Sequence, residues 1–325
     1  MNIYTVVCSG YTAENEADLM VITLHEDGSF EVKDSCRQGE NPSFCIRHGQ
    51  FLYAVEEVDN AAAIRAWKIN GDKLETTDMR IEVPGSALCH LCVTENALIG
   101  SSYLTGDYFA VDFALTKILW HRKPIPYNNP ENARQECPHA HWAAFWGEEL
   151  VLADLGSDRL WRYQMKDGIP VKELIPLRLE KGAGPRQPME LDETYLVSVQ
   201  ELDSTLCLWK KAGDTAVCVD KIRTTGKDCA TFPGTMCMAD ENTILICNRG
   251  SNTISAVKRQ GDFLEFAGEW DTAVWPRHLM RVADSNLFIN SCNESGTLVI
   301  FAMENQELVK KQEFAFQGAS CAAVL

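Results

Sequence analysis

The chain has 325 residues, 46% of them hydrophobic and 23% charged, and carries a formal net charge of −16. That is enough apolar chain to bury a sizeable core. The acidic balance, with no basic patch to offset it, excludes nucleic acid and anionic membrane surfaces as partners. An anionic small molecule would have to be drawn in by a local group of arginines.

Thirteen cysteines is an odd number, and several, such as Cys45, Cys92, Cys207 and Cys247, fall inside apolar runs rather than at disulfide-scaffold spacing. This favours free thiols and a cytoplasmic setting. The lone Cys89-x-x-Cys92 has no second pair at zinc-ribbon spacing and reads as buried strand cysteines. Residues 1–11 lack the basic segment and the apolar length of a signal peptide. No run of eighteen apolar residues occurs, so no membrane span is expected.

From the N-terminus onward, short apolar runs rich in Val, Ile, Leu and aromatic residues alternate with Asp-Gly, Asn-Gly, Gly-Ser and Ser-Gly turns. No amphipathic helical stripe persists for ten residues, and the pattern predicts an all-β chain. A junction recurs about every 42 to 49 residues: Asn41-Pro42-Ser43, Leu88-Cys89-His90, Cys137-Pro138-His139, Gly184-Pro185-Arg186, Phe232-Pro233-Gly234, Trp275-Pro276-Arg277 and Gly318-Ala319-Ser320. The first six each lead into an apolar strand, at 52–55, 98–101, 150–153, 196–199, 244–247 and 287–290. Alternating strands follow, such as 64–69, 160–163, 205–209 and 297–301, and a fourth strand such as 74–77 closes the unit.

The seventh junction stands at the C-terminus without its remaining strands. Strands at 3–7, 19–24 and 30–32 supply them from the other end. The expected fold is therefore a seven-bladed β-propeller of four antiparallel strands per blade. It forms a single domain over 1–325, closed by pairing of 320–324 with 3–7.

In such a ring the first strand of each blade lines the central channel. The residue after each junction reads Ser43, His90, His139, Arg186, Gly234, Arg277 and Ser320. The ends of the second strands read Gly10, Glu57, Tyr103, Leu155, Glu201, Arg249 and Asn293. Histidines, arginines and carboxylates at these places supply anion binders and a general base around one pocket. In an extended strand His139 and His141 share a side, so a metal site is an alternative use of that pair.

Pro138-His139-Ala140-His141, Gly184-Pro185-Arg186, Gln200-Glu201-Leu202, Cys247-Asn248-Arg249-Gly250 and Trp275-Pro276-Arg277-His278 resemble the seven-bladed 6-phosphogluconolactonase family, which also includes carboxymuconate-lactonizing enzymes. The resemblance runs along essentially the whole chain. Gln200 stands where that family usually has Asn, Gln187 where His often follows, and Cys247 where Ser is usual.

The resemblance implies a lactone hydrolase acting on a small anionic sugar lactone such as 6-phosphogluconolactone. His139, Arg186 and Glu201 would be catalytic and Arg249 would hold substrate, with no cofactor or metal; the ring positions add Arg277, His141, Glu57 and His90 as substrate contacts. His139 or Glu201 would activate water, Arg186 or a histidine would stabilise the oxyanion, and Arg249 and Arg277 would clamp the anion. No G-x-S-x-G nucleophile elbow is present, which argues against a covalent serine route. Two other readings follow from the same residues: a cycloisomerase closing a carboxylated diene to a lactone, and a propeller that only binds.

Overall fold

The computed structural model describes residues 2–11, 17–37 and 39–325. They form seven antiparallel sheets, and in all but blade one the main strands run in sequence order from the inside outward. The inner strands are Ala319–Val324, Cys45–His48, Leu88–Val93, Ala140–Trp146, Pro185–Glu190, Phe232–Met238 and Pro276–Arg281, in blades one to seven. Six sheets have four strands, and blade four carries a short extra strand, Leu177–Arg178, beside Arg159–Lys166. Every strand expected from the apolar runs lies within an observed one. Among the described residues a single 3-10 turn, Ala133–Gln135, lies in the connection between blades three and four.

Blade one is assembled from both ends of the chain. Ala319–Val324 is its inner strand, followed outward by Ile3–Gly10, Leu19–His25 and Phe30–Cys36. The pairing runs Val6 to Val324, Val7 to Ala323, Cys8 to Ala322 and Ser9 to Cys321. The two ends approach so closely that a Cβ on Gly10 would lie 2.5 Å from the Gly318 carbonyl oxygen, and one on Gly318 would lie 2.2 Å from that of Tyr11. Only glycine permits this contact.

The apolar core is divided rather than central. Seven buried clusters occur, and each joins two neighbouring blades. Val6, Ile22 and Leu24 of blade one meet Ile289, Leu298 and Ile300 of blade seven. On the other face, Val7, Leu19 and Val21 meet Leu52, Ala54 and Trp67 of blade two. Alternation along each strand supplies both faces at once, since adjacent side chains point to opposite sides.

One deviation from regular pairing recurs. Five of the inner strands carry a register shift one or two residues in, at 88/90, 140/142, 185/187, 233/236 and 276/278, the fourth skipping both Gly234 and Thr235. In blade one the shift falls between Ser9 and Gly10, skipping Ser320. A bulge opposes two residues to one and re-aims the extra side chain.

Because the ring closes through Ala319–Val324, deleting residues 320–325 should uncover the cores on both faces of blade one. The melting temperature should fall by on the order of 10 °C or more, as the loss of several kcal/mol implies for a chain of this size. A truncated chain melting with the full-length protein would show that these strands do not hold the ring.

Candidate active site at the channel mouth

The recurring bulge settles which side chains meet in the channel. The residues it displaces are Cys89, His141, Arg186, Gly234, Arg277 and Ser320, with Ser43 at the corresponding place in blade two. The junction-based ring named His90 and His139 instead. His90 stands one residue too far along, and His139 two residues short of its blade's bulge, because a Pro-based alignment ignores how far the strand has run before the bulge.

A second ring lies above the first. Amides of Tyr11, Glu57, Tyr103, Leu155, Glu201 and Asn293 donate to the carbonyls of Gly318, Asn41, Ala87, His139, Gly184 and Trp275, at 2.8–3.2 Å. Arg249 occupies this place in blade six, paired with Phe232. Tyr11 therefore replaces the expected Gly10. Five of the six accepting residues, Asn41, Ala87, Gly184, Trp275 and Gly318, have φ between 52° and 73°. This left-handed step turns the chain into the inner strand, and at Trp275 it holds a bulky residue where few are found.

Two clusters of polar side chains result. The first is centred on Glu201, whose residue is 1% exposed. Its carboxylate meets three guanidiniums: Arg134 at 2.6 Å on Oε1, and Arg186 at 2.6 Å and Arg249 at 2.7 Å on Oε2. Arg249 also donates to the carbonyls of Phe232 and Pro233. Arg186 additionally donates to His141 Nε2, and its own Nε has no hydrogen-bond partner among the described residues. Arg134 reaches in from the connection between blades three and four and also donates to Tyr103 Oη at 3.1 Å.

Burial alone would raise the Glu201 carboxyl. The attraction of Arg249, Arg186 and Arg134 outweighs burial and holds it well below the ordinary carboxylate range. Burial, with repulsion from Arg249 and Arg277, pushes Arg186 down to about 10, so it stays charged at neutral pH. His141 is driven well below its ordinary value by burial and by Arg186, and its ring is neutral. Since Nε2 accepts from Arg186, the ring proton sits on Nδ1, which is buried without a partner among the described residues.

The second cluster comes from blades one, two and seven. Glu57 Oε2 accepts from Tyr11 Oη at 2.9 Å and from Ser43 Oγ, with an Arg277 nitrogen 3.9 Å away. Arg277 Nε donates to Ser320 Oγ at 3.1 Å, and its guanidinium lies over the Tyr11 ring. Beneath both clusters a floor closes the channel. Phe44, His90 and Trp142 pack ring to ring, with His90 and Trp142 stacked at 3.8 Å and Phe44 edge-on to His278. Burial drives both floor histidines down, His278 to about 3, so both are neutral. Cys89 is buried at the ring, its thiol pushed up chiefly by burial.

Arg186, Glu201, Arg249 and His141 thus come together as one cluster, Glu57 and Arg277 form another, and His90 lies in the floor. His139 meets neither directly. It stacks on Tyr103 at 4.5 Å, its Nδ1 donates to the Tyr103 carbonyl at 3.0 Å, and its Nε2 faces Glu136 at 3.2 Å. Sequence reasoning missed Arg134, Tyr11 and Cys89. Arg134 lies in a polar connection that carries no strand period, so no pattern marked it. Cys89 and His141 were within reach, because members of the displaced ring precede their second apolar strands by a constant 9 or 10 residues.

The charge on Glu201 is favoured by folding, since its folded value lies below the ordinary 4.5. Its contribution is fully present above that pH and is lost as pH falls through the depressed folded value. Glu201→Gln, which leaves three guanidiniums without their counter-ion, should cost about 3–5 kcal/mol at pH 7 in denaturant titrations. Below pH 4.5 the variant should lose less stability than the wild type. Parallel curves at every pH would mean that Glu201 is not that counter-ion.

The family described as lactonase, seven-bladed β-propeller, matches residues 5–324. Bacillus subtilis 6-phosphogluconolactonase is 24% identical over 286 residues, covering 82% of this chain and 81% of that protein. A candidate 6-phosphogluconolactonase from Bacteroides fragilis superposes with a TM-score of 0.91 at 18% identity, covering 99% of this chain and 98% of that one. The periplasmic gluconolactonase of Pseudomonas aeruginosa does so with a TM-score of 0.87 at 15% identity, covering 100% and 99%. At these identities the superpositions speak for the fold alone. The family match extends over nearly the whole length, and the chain belongs to the seven-bladed β-propeller lactonases.

Proposed function

We propose that this protein hydrolyses an anionic sugar lactone, 6-phosphogluconolactone or a close relative, in cytoplasmic carbohydrate metabolism. One observation carries the reading. The channel mouth of a chain with net charge −16 gathers four guanidiniums, Arg134, Arg186, Arg249 and Arg277, around two carboxylates, Glu57 and Glu201. The excess positive charge is matched by an anionic ligand. Thirteen free thiols suit a reducing compartment.

Roles follow from which atoms are already engaged. Arg249 is committed to two carbonyls and Glu201, so these two fix Arg186 in place rather than touch the reacting atoms. Arg277 and the half-exposed Arg134 keep N–H groups for the substrate's anionic group. Arg186 Nε and His141 Nδ1 are buried donors beside the cluster, and a side-chain shift on substrate binding would bring them to the lactone carbonyl, where the negative charge develops. Glu57 gathers its contacts on Oε2, which leaves Oε1 to accept from a water molecule.

In this scheme Glu57 takes a proton from that water as its oxygen adds to the carbonyl carbon. The ring C–O bond then breaks, and the departing alkoxide takes the proton from Glu57. Glu201 is unsuited to that task, with both oxygens engaged by guanidiniums.

Lactone hydrolysis should be followed by stopped flow across a small panel, with spontaneous opening subtracted. Arg277→Lys keeps the charge but loses the planar fork, and kcat/KM should fall roughly tenfold, about 1.4 kcal/mol. Glu57→Gln should lower kcat by about 10²-fold or more with little change in KM. If both variants, folded as judged by melting, open every lactone as fast as the wild type, the reading is wrong. A folded wild type that accelerates no lactone in the panel would make the protein a binding platform instead.

A further inference from the structure

His139 is left over by the hydrolytic scheme, and its surroundings are unusual. The loop Glu136-Cys137-Pro138-His139 folds three unlike donor atoms into one group. Glu136 Oε1 lies 3.2 Å and Cys137 Sγ 3.9 Å from His139 Nε2, and the three ligand atoms all lie within 4.8 Å of one another. We propose that Glu136, Cys137 and His139 form a binding site for a divalent cation of the zinc class, with a fourth corner left for water.

The spacing fits that ion. Zinc–nitrogen and zinc–oxygen bonds near 2.0–2.1 Å and zinc–sulfur bonds near 2.3 Å place tetrahedral ligand atoms roughly 3.3–3.6 Å apart. Two of the separations, 3.2 and 3.9 Å, lie within a few tenths of an ångström of these values, and the third, within 4.8 Å, closes by a rotation of the exposed Glu136 side chain. The mixed carboxylate, thiolate and imidazole set suits a borderline ion and not calcium or magnesium, which take oxygen ligands.

A second observation, outside the three donors, points the same way. His139 is 2% exposed, and its Nδ1 donates to the Tyr103 carbonyl while the ring stacks on Tyr103. A metal-binding histidine typically gives its other ring N–H to a carbonyl or carboxylate, which fixes the tautomer and aims the free nitrogen. Here that nitrogen is aimed at Glu136 and Cys137.

The loop backbone is also held. The His139 amide donates to Asp154 Oδ1 at 2.9 Å, and a Cβ on Gly156 would lie 1.9 Å from the Cys137 carbonyl oxygen. Glu136 is exposed and Cys137 partly so, which gives the ion a path from solvent. Binding displaces the Cys137 thiol proton to solvent, since the thiolate is the ligand. A plain ion pair between His139 and Glu136 would need no sulfur beside the same nitrogen.

This inference goes beyond the lactonase reading, and metal alone tests it without any lactone. Full-length protein freed of metal with a chelator should retain one equivalent of Zn²⁺ after equilibration and gel filtration. With Co²⁺ in place of Zn²⁺ it should show a thiolate-to-cobalt charge-transfer band in the near ultraviolet. Cys137→Ser should lose that band with its melting temperature unchanged, while Cys218→Ser and Cys229→Ser, at other exposed cysteines, should keep it. Glu136→Gln should weaken Zn²⁺ binding by roughly tenfold or more, the scale on which even outer partners of a metal count. A wild type that retains no Zn²⁺, or a cobalt band that persists in Cys137→Ser, would overturn the proposal.

Discussion

Burial between neighbouring blades is the constraint on which everything else rests. Each sheet is apolar on both faces, and each face is covered only by the next blade round the ring. Val6 needs blade seven, and Val7, its neighbour in sequence, needs blade two. No blade can therefore be stable alone, and a ring lacking one contact would leave two apolar sheet faces in water at roughly 25 cal/mol for each Å² uncovered. Sheet edges are managed by the same closure. The channel is a by-product of this packing, and the polar groups at its mouth sit where seven strands start together.

The site exploits one local irregularity repeated around the ring. A regular inner strand would alternate its side chains between the two neighbouring blades and present little to the axis. The bulge frees one residue per blade from that alternation and turns it inward, and the left-handed step before it brings the end of the second strand alongside. Charge then becomes affordable in a buried place only through mutual pairing. Glu201 is tolerable because three guanidiniums meet it, and Arg186 because Glu201 and a neutral His141 receive its N–H groups. The neutral rings of Phe44, His90, Trp142 and His278 pack against one another beneath this network.

Much of this was legible in the residues. Period-two runs between Gly- and Asp-rich turns announced strands, and the missing outer strands of the last unit announced closure through Ile3–Gly10. Arg186, Glu201, Arg249, Arg277 and Glu57 were found because strand ends are easy to count from turns. Register was harder. A bulge shifts side chains without any signature in composition, so His139 and His90 were assigned places that belong to His141 and Cys89. Arg134 could not be found at all from period or motif. It enters from an irregular connection whose course is set by tertiary contacts, not by local preference.

The stitched blade also bears on how the protein is made. Ile3–Gly10 is made long before Ala319–Val324, the strand that must lie beside it, so three strands of blade one wait for the intervening chain. During that wait the inward edge of Ile3–Gly10 is an unpaired template in a topology dominated by distant contacts. A second nascent copy offers the same six-residue partner, Ala319–Val324. Exchange of that strand between two molecules would satisfy every hydrogen bond of blade one. The step that completes the ring is thus also the one at which crowding can link two copies of the chain through one exchanged strand.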